Sequence, residues 1–196
     1  MIVLSLQGGM AVGKTTAARY LARHAPDLHV CLEDNRAVIG QVQRLGLDKT
    51  RCDDYIRIQR LWLQHEVDRW QQARSWPCTV MDFGAEEIEF YTLHYPRTIG
   101  QDWDVEGPLA RELAAVRRCM PRRILFLDAP DPVLRCRKEG DAARDRGFFE
   151  HYLQELLPLK RAWFAQKDNV DVLQTAGMTP EQVGAAALEW AVRWSR

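Results

Sequence analysis

The sequence predicts an α/β fold with an open, parallel, five-stranded sheet and helices on both faces of the sheet. Five short apolar runs alternate along the chain with segments whose apolar residues recur at helical spacing. Each run is apolar throughout rather than at every second residue, which is typical of a strand covered on both faces. No change in composition divides the 196 residues, so we expect one domain over residues 1–196.

The amino-terminal half contains three of the predicted strands. The first strand ends where a group of glycines begins, and the helix after it stops before Pro26. The second strand ends at the sequence EDNR, and Gly46 ends the next helix. A long helix precedes the third strand, CTVMDFG. The predicted segments of this half are 2–7, 15–24, 29–32, 36–45, 55–73 and 78–84.

The carboxy-terminal half contains the strands RILFLDAP and VDVLQTAG. Helical spacing predicts four helices, over residues 85–93, 108–118, 132–139 and 148–166. A last helix begins at TPEQ, where Thr179 is the predicted N-cap, Pro180 the first helical residue and Gln182 the capping-box partner. Strands and helices therefore alternate to the end of the chain.

The composition limits the partners that we expect. The 27 basic and 27 acidic residues balance, so the chain has no overall attraction for nucleic acid or an anionic membrane. No apolar run is long enough to span a bilayer, and no basic segment typical of a signal peptide precedes the first strand. The five cysteines are scattered, which predicts reduced thiols and a cytoplasmic location. They are Cys31, Cys52, Cys78, Cys119 and Cys136.

A glycine-rich motif, GGMAVGKTT, lies between the first predicted strand and the first predicted helix. It matches G-x-x-x-x-G-K-[ST] in the strand–loop–helix context that this motif requires. Its glycines let successive N–H groups point into one cavity, where the helix dipole also favours a phosphate. Lys14 would contact the β- and γ-phosphates, and the Thr15 hydroxyl would contact Mg²⁺. We predict a site for ATP and Mg²⁺ formed by Gly8, Gly9, Met10, Ala11, Val12, Gly13, Lys14, Thr15 and Thr16.

Together with this motif, four further segments resemble the P-loop deoxynucleoside kinases and their relatives, the thymidylate and other nucleoside monophosphate kinases. The segments are YIRIQRLWL, a strand that ends in an acidic residue, ILFLDAP and FFEHYLQELLPLKRAWF. The resemblance implies a single kinase domain that transfers a phosphoryl group from ATP to a small acceptor, with a lid over residues 135–148. The first expected acceptor is a nucleoside or deoxynucleoside. A nucleoside monophosphate, another small metabolite or an antibiotic is the alternative, and a homodimer is a further expectation.

The resemblance implies a functional role for carboxylates at the ends of two strands. The family has a general base at the end of its second strand, where this chain has both Glu33 and Asp34. The choice between these two carboxylates is open. The acidic residue of the third strand matches Asp82, which would contact Mg²⁺ together with Thr15. The alternative for Asp82 is an N-cap of the following helix.

The substrate-binding arginine of the family has no direct match. It normally follows the acidic residue of the third strand, where this chain has Phe83. Arg36, Arg51 and Arg97 are the candidates to replace it, and Arg36 is the nearest in sequence to the predicted base.

Gln59 interrupts an apolar helical stripe, which consists otherwise of Ile56, Leu63, Val67 and Trp70. A buried amide without a partner costs about 1–3 kcal/mol, so Gln59 needs a hydrogen-bond partner. The resemblance implies that this partner is the edge of a nucleobase. The alternative is a structural amide that bonds to the backbone or to water. Tyr55 and Trp62, close to Gln59 in the sequence, are candidates to stack on the same ring, and the alternative is that both belong to the core.

The charged segment between the helices 132–139 and 148–166 matches the lid of the family. The resemblance implies that its arginines, Arg144 and Arg146 in particular, close over the phosphates. Because acidic residues are interleaved with the basic ones, the alternative is a solvated loop with internal ion pairs. A functional alternative of another class is a nucleotide-binding switch without catalysis, in which these arginines have no catalytic role.

Overall fold

The computed structural model describes residues 1–139 and 146–196 of the chain. Its five strands are all parallel and pair in the order β2-β3-β1-β4-β5. This confirms the predicted open, parallel sheet. The strands are β1 (Ile2–Gly8), β2 (His29–Cys31), β3 (Cys78–Asp82), β4 (Arg123–Asp128) and β5 (Val170–Gln174).

Helices alternate with the strands, as predicted. Tyr152–Leu156 form a π-helical turn between α7 and α8. The turn ends two residues before Pro158, which has no N–H group to continue an α-helical ladder. In the described ranges no helix has the length and apolar character needed to cross a bilayer. The helices are α1 (Lys14–His24), α2 (Arg36–Arg44), α3 (Cys52–Ala73), α4 (Ala85–Thr98), α5 (Ala110–Val116), α6 (Asp131–Glu139), α7 (Arg146–His151), α8 (Leu157–Ala165) and α9 (Pro180–Trp194).

The helices cover both faces of the sheet. On one face α1 packs closely against α9, and a Cβ atom at Gly184 would lie only 2.3 Å from the Tyr20 side chain. On the other face α8 packs against β4, where the rings of Phe126 and Phe164 are 4.9 Å apart. Both faces of β4 are therefore buried, which explains its continuous apolar sequence.

The carboxyl ends of the parallel strands meet at one edge of the sheet. Register places Leu6 of β1 beside Asp82 of β3, and Gly8 beside Leu127 of β4. Gly8 has φ +138°, and a Cβ atom there would lie 2.1 Å from the Leu127 carbonyl oxygen. Only glycine permits this approach, so the loop after β1 starts from a fixed position against β4.

Helix α4 runs beyond the predicted 85–93, to Thr98, and includes Pro96. Proline has no N–H group, so the Thr92 carbonyl lacks its usual helical donor at position 96. The Tyr55 hydroxyl of α3 lies 3.1 Å from that carbonyl and 2.8 Å from the carbonyl of Tyr91. A tertiary hydrogen bond therefore accompanies the proline inside the helix, which the local sequence does not reveal.

The first turn of α4 carries buried acidic residues. Glu86 is 1% exposed, and neither of its carboxyl oxygens has a hydrogen-bond partner among the described residues. Burial raises the pKa of Glu86 to about 8. The side chain is therefore mostly protonated at neutral pH in the folded protein, whereas it is ionised in the unfolded chain.

We predict that Glu86→Gln stabilises the protein increasingly as the pH rises from 5 to 8. Between the ordinary pKa of 4.5 and the folded value of about 8, the folded state holds a proton that the unfolded state releases. The Glu86 contribution to the free energy of unfolding therefore falls with rising pH, by at most about 1.4 kcal/mol per pH unit. Urea unfolding at pH 5 and pH 8 measures the difference, with the exposed Glu189→Gln as control. A difference between Glu86→Gln and wild type that does not change with pH would contradict the prediction.

We predict that Tyr55→Phe lowers the free energy of unfolding by about 1–3 kcal/mol, because it removes the hydroxyl donor that the Tyr91 and Thr92 carbonyls share. Pro96→Ala restores an N–H group at position 96, so the same change in that background has a smaller effect. A double-mutant cycle measured by urea unfolding tests this coupling. Equal losses in both backgrounds would show that the tyrosine hydroxyl does not replace the missing helical donor.

Candidate active site

A cavity of about 800 Å³ contains the loop between β1 and α1 in its wall. The structure brings all the residues of the predicted nucleotide loop to this cavity, together with Glu33, Tyr55 and Gln59. The loop residues are Gly8, Gly9, Met10, Ala11, Val12, Gly13, Lys14, Thr15 and Thr16. One cavity therefore joins the glycine-rich loop to side chains from β2–α2 and α3.

The loop conformation leaves helical N–H groups available at the start of α1. Gly13 has φ 103° and Ala11 has φ 60°, a left-handed conformation that costs a non-glycine residue about 1 kcal/mol or more. No side chain caps α1, and its first turn contains no acidic residue. The first N–H groups of α1 are therefore available to an anion at the positive end of the helix dipole.

Lys14 lies against the loop itself. Its Nζ atom donates to the carbonyl oxygens of Gly8 and Gly9, both at 3.0 Å. The loop carbonyls thus position the ammonium group in the cavity wall. A phosphate at the loop would be an additional, charged acceptor for the same group.

Asp82 is completely buried at the end of β3. Neither of its carboxylate oxygens has a hydrogen-bond partner of normal geometry within the described part of the chain. Burial raises the pKa of Asp82, and the nearby Lys14 and Thr15 oppose this rise. Gly84, not Asp82, is the N-cap residue of α4. The N-cap alternative is therefore excluded.

Asp82 and Thr15 fit a Mg²⁺ site, because the two unpaired oxygens of Asp82 are hard donors close to the threonine hydroxyl. Among the described residues, no group of three His, Cys, Asp or Glu side chains could hold a metal ion. An ion at this position would take its other ligands from phosphate oxygens and water, which is typical of Mg²⁺.

The two candidate bases differ in their surroundings. Glu33 lines the cavity and accepts a hydrogen bond from the Asn35 amide. Asp34 instead faces a shallow depression beside the cavity, where the Arg36 side chain donates to it at 2.7 and 2.9 Å. These hydrogen bonds hold the pKa of Asp34 well below its usual range. Of the two carboxylates, Glu33 alone lines the cavity.

The arginines considered for substrate binding lie outside the main cavity. Arg36 is bound to Asp34, and its side chain is 90% exposed. Arg51 is also exposed and lies 3.9 Å from Asp54, and Arg97 is on the exposed side of α4. The structure does not bring any of the three to the loop.

Gln59 is buried in the cavity wall and contacts Thr92 of α4. The Thr92 hydroxyl lies 2.9 Å from Gln59 Oε1 and 2.8 Å from the Ile88 carbonyl. A hydroxyl group has one proton and donates to one acceptor at a time. Thr92 therefore donates either to the Ile88 carbonyl or to Gln59 Oε1, and it contacts only the oxygen end of the amide, which leaves the nitrogen end for a ligand in the cavity.

Aromatic side chains form much of the remaining wall. Tyr55 contributes its ring, which stacks on Tyr95 at 5.8 Å, while its hydroxyl is bonded to the α4 backbone. Phe83 stands where the family pattern has arginine, with φ 75°, a strained conformation for a bulky residue. The aromatic residues of the wall are Tyr55, Trp62, Phe83, Tyr91, Tyr95, Phe148, Phe149 and Tyr152.

Two buried ion pairs near the strand ends are not predicted from the sequence. Lys160 of α8 pairs with Glu87 of α4, and Arg69 of α3 pairs with Glu66 at 2.6 Å. Arg69 also donates to the Asp82 carbonyl at 3.0 Å. In the sequence, such a pair is indicated by a single charged residue inside an otherwise apolar helical stripe. The same kind of pattern identifies Gln59.

The predicted lid is only partly described. Arg144 lies outside the described residues, as does the side chain of Arg146, whose backbone begins α7. At the amino-terminal end of the segment, Arg137 donates to the Val12 carbonyl of the loop at 3.2 Å and to Thr175 at 2.6 and 2.9 Å. The role of Arg144 and Arg146 in closing over phosphates stays a prediction.

Comparisons with known proteins agree with this architecture. A family model described as AAA domain matches residues 3–159. The structure is similar to thymidylate kinase from Candida albicans, with a TM-score of 0.70 and 15% identity over 98% of this chain and 91% of that one. It is also similar to deoxyadenosine kinase from M. mycoides with bound dATP, with a TM-score of 0.69 and 12% identity over 98% of both chains. A second structure of that enzyme, with bound dCTP, gives a TM-score of 0.68 at 12% identity, over 98% of this chain and 97% of that one.

No curated protein sequence matches the chain. At sequence identities of 12–15%, the similarity to these structures shows a shared fold. The match to the family model compares sequences and does not depend on the structure. Because that match extends from β1 through the start of α8 and includes the whole glycine-rich loop, the chain belongs to the AAA domain family and has the P-loop fold of nucleoside and nucleotide kinases.

Proposed function

We propose that this protein is a kinase that transfers the γ-phosphoryl group of ATP to a hydroxyl group of a nucleoside or deoxynucleoside. The observation that carries the proposal is one cavity whose wall contains the phosphate loop, the buried amide of Gln59 and several aromatic rings. Aromatic rings stack on a nucleobase, and an amide pairs with its polar edge. The similarity in fold to deoxyadenosine and thymidylate kinases supports this assignment.

In the proposed reaction the acceptor oxygen attacks the γ-phosphorus while the bond to the β–γ bridging oxygen breaks, so that ADP leaves. Glu33 accepts the proton of the attacking hydroxyl. Lys14 and the first N–H groups of α1 hold the phosphates. Thr15 and Asp82 would hold Mg²⁺, which would neutralise charge on the phosphate oxygens.

Glu33 suits the role of base better than Glu87, the other carboxylate in the cavity wall. Glu87 contacts the ammonium group of Lys160 in a buried ion pair. Glu33 is partly exposed and has a neutral amide, Asn35, as its partner. A proton transferred to Glu33 therefore does not disrupt a buried ion pair.

The charges in the wall favour an acceptor without a phosphate. Within the described residues no arginine lines the cavity, although arginine is the side chain best suited to grip a phosphate group. A nucleoside monophosphate is the second candidate, because Lys49 also lines the cavity, 5.2 Å from the Tyr95 ring and 4.6 Å from the Phe148 ring. Lys49 would be a partner for an anionic acceptor.

ADP release measured with a panel of acceptors tests the proposal. The panel contains nucleosides, deoxynucleosides, nucleoside monophosphates and antibiotics, each with ATP and Mg²⁺. We expect the largest stimulation from a nucleoside or deoxynucleoside. If a monophosphate or an antibiotic gives the largest stimulation, that compound class is the acceptor instead of a nucleoside. Nucleotide binding without stimulation by any acceptor would favour a nucleotide-binding switch.

We predict that Lys14→Ala lowers acceptor-dependent ADP release by at least about 10²-fold, as for loss of one positioned charge donor. Folding is preserved, because Lys14 lies in a cavity wall rather than in the core. Circular dichroism and turnover are measured together, with Arg193→Ala on the exposed side of α9 as control. Wild-type turnover in a folded Lys14→Ala protein would exclude catalysis at this loop.

We predict that Gln59→Leu lowers kcat/KM for the best nucleoside roughly tenfold to a hundredfold, because polar groups of the base lose their partner, at about 1–3 kcal/mol each. Stability changes little, since without Gln59 Oε1 the Thr92 hydroxyl still has the Ile88 carbonyl as an acceptor, 2.8 Å away. The matched control is Gln64→Leu, on the exposed face of the same helix. Reduced stability with unchanged activity per folded molecule would instead make Gln59 a structural amide.

A further inference from the structure

Lys160 is a buried cation for which the proposed reaction has no role. Its side chain is 1% exposed and lies on α8 among buried apolar residues such as Leu157 and Phe164. An ammonium group in such surroundings is costly unless it is paired and hydrogen-bonded. Its Nζ atom contacts Glu87 and donates to the Gly8 carbonyl at 2.8 Å. The cation therefore contacts the first peptide of the phosphate loop from the buried side.

The Gly8 carbonyl accepts hydrogen bonds from two lysines. Lys14 Nζ lies 3.0 Å from it, on the loop side, and Lys160 Nζ lies 2.8 Å from it. A carbonyl oxygen has two lone pairs and satisfies both donors. Lys14 bonds to Gly9 as well and lies in the cavity wall, so a bound phosphate competes for its ammonium group. Lys160 is buried and does not line the cavity, so its bond to Gly8 is protected from this competition.

Glu87 anchors Lys160 to the end of β1. With the Gln7 amide in the orientation that satisfies its neighbours, Gln7 donates to Glu87 at 2.7 Å and accepts from the Gly84 N–H at 3.1 Å. The Ser5 hydroxyl donates to the same amide oxygen at 2.9 Å. A continuous network therefore connects β1, the start of α4 and α8 under the loop. The ammonium group has little freedom to move away from Gly8.

We propose that Lys160 is a positioning residue for the phosphate loop. It keeps the Gly8 carbonyl paired, and the Gly8–Gly9 peptide in place, when Lys14 transfers its hydrogen bonds to the phosphates of a nucleotide. The inference rests on the proposed role of the loop in nucleotide binding and is independent of which acceptor is phosphorylated. Loss of Lys160 should therefore weaken the binding of nucleotide and leave the binding of the acceptor unchanged.

The affinity of the full-length protein for MgADP, measured by calorimetry without an acceptor, tests this role. We expect Lys160→Met to weaken binding about tenfold or more, as for loss of a charged hydrogen-bond donor. Lys160→Arg, which keeps the charge and its donors, should recover most of the affinity. In the kinase assay the KM for ATP should rise, while the KM for the acceptor stays within about twofold of wild type.

Phe164→Leu is the control for a loss of stability. Phe164 lies on the same helix, packs against Phe126 and does not line the cavity. This variant should lower the melting temperature without weakening MgADP binding. Wild-type affinity for MgADP in Lys160→Met would overturn the proposal. The proposal would also be overturned if Phe164→Leu, with the same melting temperature as Lys160→Met, bound MgADP equally weakly. If Lys160→Met does not fold, the double variant Glu87→Gln/Lys160→Met removes both partners of the buried pair and the donor to Gly8, and wild-type affinity in this variant overturns the proposal equally.

The outcomes separate this inference from the proposed function. A protein that binds MgADP but responds to no acceptor loses the proposed function, while the comparison of Lys160 variants still decides the role of this residue. A wild-type protein that does not bind MgADP would remove the nucleotide site and this inference with it.

Discussion

The position of the Gly8 backbone is the constraint on which the candidate site depends. The first peptide of the loop is packed so closely against β4 that a single Cβ atom would overlap the Leu127 carbonyl. Its own carbonyl accepts from two ammonium groups, one in the cavity wall and one buried. The loop therefore begins from a point held by the sheet on one side and by Lys160 on the other.

Around this point the protein buries several charged or ionisable groups in the space between the sheet and α3, α4 and α8. Burial raises the pKa of Glu66 to about 7 and that of Glu86 to about 8, and it lowers the pKa of Lys160 to about 8. Such shifts indicate surroundings of low dielectric constant, in which the remaining charges interact strongly. None of these three groups lines the cavity itself, so they influence it only through the residues that they contact.

The sequence reveals the loop and the sheet because their signals are local. The glycine-rich motif places Lys14 and Thr15 at the start of a helix by chain geometry, and continuous apolar runs identify the buried strands. Gln59 is recognised because a polar residue stands out in a helical apolar stripe. The carboxy-terminal end of α4, in contrast, cannot be predicted from local signals. Pro96 favours a helix end, and the Tyr55 hydroxyl that supplies the missing hydrogen bond is 37 residues away from Thr92 in the chain.

The sequence by itself determined the fold class, the order of strands and helices along the chain, and the residues of the phosphate loop. Only the tertiary structure separated Glu33 from Asp34, since adjacent residues at a strand end face different sides and only one faces the cavity. It also decided that Arg36 faces solvent and that Lys160 and Glu87 meet under Gly8. The physical reason is that electrostatic pairs and cavity walls form between elements distant in sequence, whereas periodicity and motif spacing report only on each element and its immediate neighbours.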